Sequence, residues 1–150
     1  MKKKIFYSLI LLVSGIIIGR KIYLATENID IKINSPSTFY FLQEGVYSSK
    51  QIMEENVKSM NMKVVDAKDN KYYVYLGITK DAAIAKRLKM IYEEEGYQIY
   101  IKEVSIANEE FLNNVIQFDL LINNTNNIEE ILTIEEVVLA NYEEIVQKNN

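Results

Sequence analysis

The feature that most constrains the fold is a strand-like run at Lys71–Thr79, with the sequence KYYVYLGIT. Its residues are mostly aromatic or β-branched, and Asp69 and Asn70 precede it as a turn signal. An earlier run at residues 38–47 has the same character and also carries a glycine near its end. These two similar runs predict that the middle of the chain contains a repeated unit.

Each run is followed by a signal that favours the start of a helix. Ser48 has Gln51 three residues later, and Thr79 is followed by Asp81 in the position of a first helical turn. The predicted order is therefore β-α-β-β-α-β, an α+β fold. The strands are expected at residues 38–44, 63–67, 71–79 and 98–104, and the helices at 48–60 and 81–95.

Alternation along the two main strands predicts which side chains share a face of the sheet. Phe41 and Gln43 fall on one face with Lys71, Tyr73 and Tyr75, because successive side chains of a strand point to opposite sides. A four-stranded antiparallel sheet with both helices on its other face leaves this face open. Tyrosine rings offer flat apolar surfaces with a polar tip, so the patch suits sugar rings.

Two other interpretations of these tyrosines remain open. Tyrosine has a high β-propensity, so the rings could simply tile a half-exposed sheet without binding anything. Alternatively, the carboxy-terminal helices could cover the sheet and bury the rings as core.

The amino-terminal segment predicts a membrane anchor at residues 1–24. Lysines at 2–4 precede an uncharged run at 5–19, and such a basic cluster favours a cytoplasmic amino terminus with the following domain outside the cytoplasm. A cleaved signal peptide is the alternative, although no clear small-x-small cleavage site follows. Residues 25–37 are polar and contain the single proline, which is typical of a linker.

The carboxy-terminal extension, residues 105–150, predicts two amphipathic helices at 107–122 and 128–147. Asn127 with Glu130 resembles a capping box for the second. From residue 107 onward there are nine acidic residues and one lysine. This acidic charge argues against nucleic acid as a partner, including RNA on the sheet, because backbone binding needs a basic surface.

Composition also limits the chemistry. The chain has no cysteine and no histidine, which removes thiolate metal sites, a cysteine nucleophile and the commonest general base. The glutamate runs at 93–95 and 143–144 are explained as solvated helix charges, without a partner group to position a substrate. We therefore expect no enzymatic activity, no catalytic residue, no metal and no cofactor.

Two segments, LQEGVY at residues 42–47 and YYVYLGI at residues 72–78, resemble the sheet motifs of the SPOR domain, a repeat module of bacterial envelope and sporulation proteins. The first family motif reads apolar residue, Gln, apolar residue, Gly, small residue and aromatic residue, and LQEGVY at residues 42–47 fits it at Leu42, Gln43, Gly45 and Tyr47. Residues 72–78, YYVYLGI, match its second motif, and Ala85 and Gly96 fit the following helix. The resemblance covers residues 38–104. The chain departs from the family pattern at four positions, which are Glu44, Val46, Tyr73 in place of the usual Arg, and Ile78 in place of a proline.

The resemblance implies a membrane-anchored, non-enzymatic protein that binds peptidoglycan glycan strands stripped of their stem peptides, in sporulation or division. The ligand would lie on the open sheet face, with Gln43 at the family's glutamine position. The predicted glycan-binding residues are Phe41, Gln43, Lys71, Tyr73 and Tyr75. The alternative function is an envelope interaction or assembly module that kept the fold but lost glycan binding, with its carboxy-terminal helices pairing with a partner or a second copy.

Overall fold

The structure is a computed structural model, and it describes residues 36–148. The predicted anchor, and all of the predicted linker up to residue 35, lie outside these residues. None of the helices within residues 36–148 combines the length and the apolar character needed to cross a membrane.

The described part of the chain is an α+β fold with one four-stranded antiparallel sheet and four helices. The strand order is β2-β3-β1-β4, so β3 and β1 are central. This confirms the predicted fold class and the antiparallel sheet. In chain order the elements are β1 (Ser37–Tyr47), α1 (Lys50–Asn56), β2 (Val64–Lys68), β3 (Lys71–Thr79), α2 (Ala82–Glu94), β4 (Tyr100–Ile106), α3 (Glu109–Asn123) and α4 (Ile128–Lys148).

The turn signals act where the sequence predicts them. Asp69 and Asn70 both have positive φ, 52° and 59°, which is the geometry of a two-residue hairpin between twisted strands. Gly96 follows α2 with φ of 94°, a left-handed conformation that suits glycine at a helix end. Asn127 caps α4 by accepting from the amides of Glu129 and Glu130 at 2.9 and 3.3 Å.

Two helix starts differ from the prediction. Asp81 itself caps α2, accepting from two backbone amides of the first turn, whereas Thr79 is the buried last residue of β3. Ser49 caps α1 in place of Ser48. The predicted helix 48–60 is also too long, because α1 ends at Asn56 and its buried apolar stripe continues in the following loop.

One face of the sheet packs against α1 and α2, as predicted. Leu42, Val74 and Leu76 form the floor of this core, and the methyl group of Ala85 is fully buried among them. The hydroxyl of Tyr92 crosses the core and donates to the Leu76 carbonyl at 2.6 Å. The close approach of α2 to the sheet therefore depends on a small residue at position 85.

The opposite face of the sheet is covered by α3 and α4, so the prediction of an open face is wrong. The Phe39 ring lies 5.2 Å from the Phe111 ring of α3, and the Phe41 ring lies 5.0 Å from the Tyr142 ring of α4. Phe39, Phe41 and Ile78 are fully buried by this packing. A continuous apolar surface of that kind is rarely left in water, so the two helices complete a second core.

Arg87 of α2 joins the two helical layers at the end of α3. Its guanidinium donates to the carbonyls of Ile122 and Thr125 at 3.1 and 2.8 Å, and to the Asn126 side chain at 3.3 Å. The last carbonyls of a helix lack partners within the helix and carry partial negative charge, so a cation suits this position.

Candidate functional site

The five predicted glycan-binding residues lie together on β1 and β3, but they do not form a surface. Phe41, Gln43 and Tyr75 are 0%, 8% and 7% exposed. Tyr73 is half-buried, and Lys71 alone is exposed. The rings of Phe41 and Tyr75 meet edge to face at 4.9 Å inside the second core. Contact between glycan and these residues stays a prediction, and contact with Phe41 and Tyr75 would require α3 and α4 to leave the sheet.

The neighbours of Tyr75 show that its ring belongs to the core. Burial raises the pKa of Tyr75 to about 12, with a further contribution from the negative charge of Asp66. Asp66 also accepts a long hydrogen bond, 3.4 Å, from the Tyr142 hydroxyl of α4. Tyr75 therefore belongs to the core that α3 and α4 share with the sheet.

The end of β3 is unusual because no strand continues along one of its edges. The pairing between β2 and β3 begins with Val64 opposite Tyr75, so β3 extends beyond its neighbour. The amides of Ile78 and Lys80 are two residues apart and point to this unpaired edge. Carboxylates of the carboxy-terminal helices accept from both, Glu135 from Ile78 at 3.0 Å and Asp119 from Lys80 at 2.9 Å.

Glu135 of α4 is fully buried and makes a single hydrogen bond. Its Oε2 accepts from the Ile78 amide, whereas its Oε1 is buried without a hydrogen-bond partner among the described residues. A Cβ atom at Gly77 would lie 3.1 Å from Oε2, so the glycine leaves room for the carboxyl group. Burial raises the pKa of Glu135 to about 8; the Ile78 amide opposes this, and the nearby Asp119 adds to it.

Asp119 of α3 is the second carboxyl group at this strand end. Its Oδ1 accepts from the Thr79 hydroxyl at 2.6 Å, and its Oδ2 accepts from the Lys80 amide. Burial raises the pKa of Asp119 to about 6, although the hydrogen bonds from Thr79 and Lys80 lower it. Because three of the four carboxyl oxygens accept from groups at the end of β3, the pair fixes α3 and α4 to this strand.

Asp119 and Glu135 are not among the residues predicted from the sequence, although the sequence contains a signal for both. Asp119 lies between Val115 and Ile122 on the apolar stripe of its helix, and Glu135 follows Ile131 by four residues on another. An acidic residue within a buried stripe indicates a carboxyl group with an internal partner. Which backbone amides it would meet is not encoded in that spacing.

A cavity of about 310 Å³ opens beside the same strand edge, and we call it the α2–α4 cavity. It lies between the loop before β2, the end of α2 and the first turns of α4. Its apolar lining includes methionine, leucine and tyrosine side chains, at Met60, Met62, Leu76, Tyr97 and Leu132. Methionine adapts to ligands of irregular shape, and tyrosine adds a polar tip to a flat ring.

The charged lining of the α2–α4 cavity is entirely acidic. Glu95 comes from the end of α2, and Glu129 and Glu136 come from α4. All three side chains are exposed. The Lys63 side chain is held next to the cavity, because its Nζ donates to the Met60 carbonyl at 2.8 Å. Three glutamates outnumber this one lysine, so the cavity offers an apolar interior and a net negative rim, and its lining includes no cysteine or histidine.

No protein-family model, curated protein or solved structure matches the chain. The resemblance to SPOR domains stays a prediction based on residues 42–47 and 72–78. Within residues 36–148, no group of three or more Asp, Glu, His or Cys side chains is arranged to hold a metal ion.

Proposed function

We propose that the chain is a membrane-tethered, non-enzymatic interaction module of the bacterial cell envelope, acting in sporulation or division. In this proposal a divergent SPOR-like sheet is covered by its own carboxy-terminal helices, and the ligand is a protein that binds elsewhere. The observation that carries it is the packing of α3 and α4 on the face that the family resemblance assigns to glycan. The α2–α4 cavity is the candidate contact site.

Glycan binding on the sheet is disfavoured because moving α3 and α4 away would expose buried apolar side chains to water. Besides Phe41 and Tyr75, the covered face contains Phe39, Val64 and Ile78, all nearly or fully buried. Returning each such side chain to water costs ~1.5–3 kcal/mol. A sugar ring on this surface would have to offset the loss of a whole core, in addition to the loss of the Asp119 and Glu135 contacts.

The membrane tether is supported by the sequence of the amino-terminal segment. The uncharged run at 5–19 behind the lysines at 2–4 favours an anchored chain with residues 25–150 outside the cytoplasm. A fusion of a cytoplasm-only reporter at Asn150 should be inactive, and a fusion of an export-dependent reporter should be active. The opposite pattern would contradict this part of the proposal.

Site-specific cross-linking in cells tests the proposed ligand class. A diazirine amino acid is placed in the full chain at Thr133, which lines the α2–α4 cavity, or at Lys71, the exposed member of the predicted glycan patch. We expect a protease-sensitive adduct from position 133 and no glycan adduct from position 71. A muramidase-sensitive adduct at position 71, together with sedimentation of the chain with denuded sacculi, would instead support glycan binding.

A further inference from the structure

The backbone next to the α2–α4 cavity is already occupied, which excludes one common way of binding a peptide. A peptide that extended the sheet alongside β3 would need the free hydrogen-bonding groups of its edge. The Leu76 carbonyl, however, is bonded to the Tyr92 hydroxyl, and the Ile78 amide is bonded to Glu135. A ligand of this cavity therefore does not extend the sheet, and side-chain contacts are left for its recognition.

The charges around the cavity select the kind of side chain. Within residues 36–148, the two ion pairs are Lys50–Glu54 and Lys89–Glu93, so none of the three cavity glutamates is paired with a lysine or arginine. Carboxylates gathered at the rim of an apolar cleft raise the local negative potential and attract a cation. An interior formed by Met60, Leu76 and Leu132 suits the hydrocarbon stem that lysine carries behind its charge.

We infer that the α2–α4 cavity binds a lysine-bearing segment of a partner protein. The lysine stem lies against the apolar interior, and its ammonium group lies among Glu95, Glu129 and Glu136. The inference rests on the proposed function and specifies the partner: a basic, extended segment with an apolar residue on each side of the lysine.

Binding is measured with the full chain in nanodiscs of uncharged phosphatidylcholine, using fluorescence anisotropy of a labelled peptide. The probe is the heptapeptide acetyl-Gly-Ser-Leu-Lys-Leu-Ser-Gly-amide. Two matched peptides separate charge from stem: norleucine in place of lysine keeps the stem, and diaminopropionate keeps a charge on a short stem. We expect each change to weaken binding, and added salt to weaken the two charged peptides but not the norleucine peptide.

Variants of the rim provide the second arm of the test. Glu129→Gln and Glu136→Gln should each lower the affinity for the lysine peptide about two- to fivefold, which is the usual contribution of an exposed ion pair. Glu143→Gln is the matched control, because Glu143 is an exposed glutamate of the same helix that does not line the cavity. Its affinity should equal that of the wild type. Melting curves of all three variants should coincide, since the substituted groups are exposed.

Three results would overturn the inference: no binding of the lysine peptide, equal binding of the norleucine peptide, or equal weakening by Glu143→Gln. These results are distinct from a failure of the proposed function. A protein adduct from position 133 without peptide binding would leave the interaction module standing and remove the lysine-bearing partner. Absence of a protein adduct at position 133 would remove the interaction module itself.

Discussion

Raising the pH from 5 to 8 should destabilise the described domain, and Glu135 should be the main cause. Its carboxyl group is fully buried on α4, and its pKa is raised by burial from an ordinary 4.5 to about 8. A group that binds its proton more tightly when folded stabilises the fold at low pH. The stabilisation is fully present below the unfolded pKa and is lost as the pH rises through the folded value.

The size of the effect follows from the separation of the two pKa values. Each pKa unit corresponds to about 1.4 kcal/mol, so the window from 4.5 to about 8 corresponds to ~5 kcal/mol. Asp119 acts in the same direction at lower pH, because burial raises its pKa from 3.8 to about 6. Since whole domains are stable by only ~5–15 kcal/mol, the loss should be large enough to detect.

The assay is urea unfolding followed by circular dichroism at pH 5, 6, 7 and 8. Glu135→Gln keeps an acceptor for the Ile78 amide but has no proton to lose, so its free energy of unfolding should change much less with pH. At pH 8 the variant should be more stable than the wild type by a few kcal/mol. The matched control is Glu136→Gln, an exposed neighbour on the same helix, which should keep the wild-type profile.

Two results would refute this reasoning. The first is a wild-type stability that does not fall between pH 5 and pH 8, because a buried carboxyl group at this position must then ionise without cost. The second is a Glu135→Gln profile as steep as that of the wild type, which would assign the pH dependence to other groups.

Three further predictions concern packing. Gly77→Val should lower the free energy of unfolding by ~1–3 kcal/mol or more, because the valine side chain would displace the Glu135 carboxyl group from the Ile78 amide. A variant that melts at the wild-type temperature would contradict the close approach of Glu135 to Gly77. Ala85→Leu should lower the free energy of unfolding by ~1–3 kcal/mol, because the larger side chain overpacks α2 against the sheet. The control Ala83→Leu, at an exposed position of the same helix, should change the thermal melting curve little. Removal of residues 107–150 should abolish cooperative melting, since it exposes an entire core face; a truncated chain that melts like the wild type and binds denuded sacculi would show that α3 and α4 are dispensable.

Much of the sheet is predictable from local sequence. The alternation that assigns Leu42, Val74 and Leu76 to one face, and Phe41 and Tyr75 to the other, holds in the structure. These residues alternate because the backbone sets the side-chain period of a strand, but a register shift between β1 and β3 brings Ile78 into the same core as Tyr75. The hairpin at Asp69 and Asn70 is equally local, since it depends on residues that tolerate positive φ.

The candidate site was not predictable in the same way. The α2–α4 cavity combines the loop at 59–62, the end of α2 and the start of α4, which are distant in sequence. Each part is an ordinary polar or apolar stretch, and only their meeting creates a concave surface. The residues expected to bind glycan were correctly placed on one face, but their exposure depended on elements outside the resemblance.

The sequence by itself determined that both carboxy-terminal helices have an apolar stripe, and therefore that each has something to pack against. Only the tertiary structure decided that one part of these stripes packs on the sheet face opposite α1 and α2, while Ile122, Ile131 and Ile134 join the core on the α1 and α2 side. The physical reason is that a stripe specifies burial but not its partner. The contacts that select the partner join residues 40 and 57 positions apart, Thr79 with Asp119 and Ile78 with Glu135, and no local periodicity connects them.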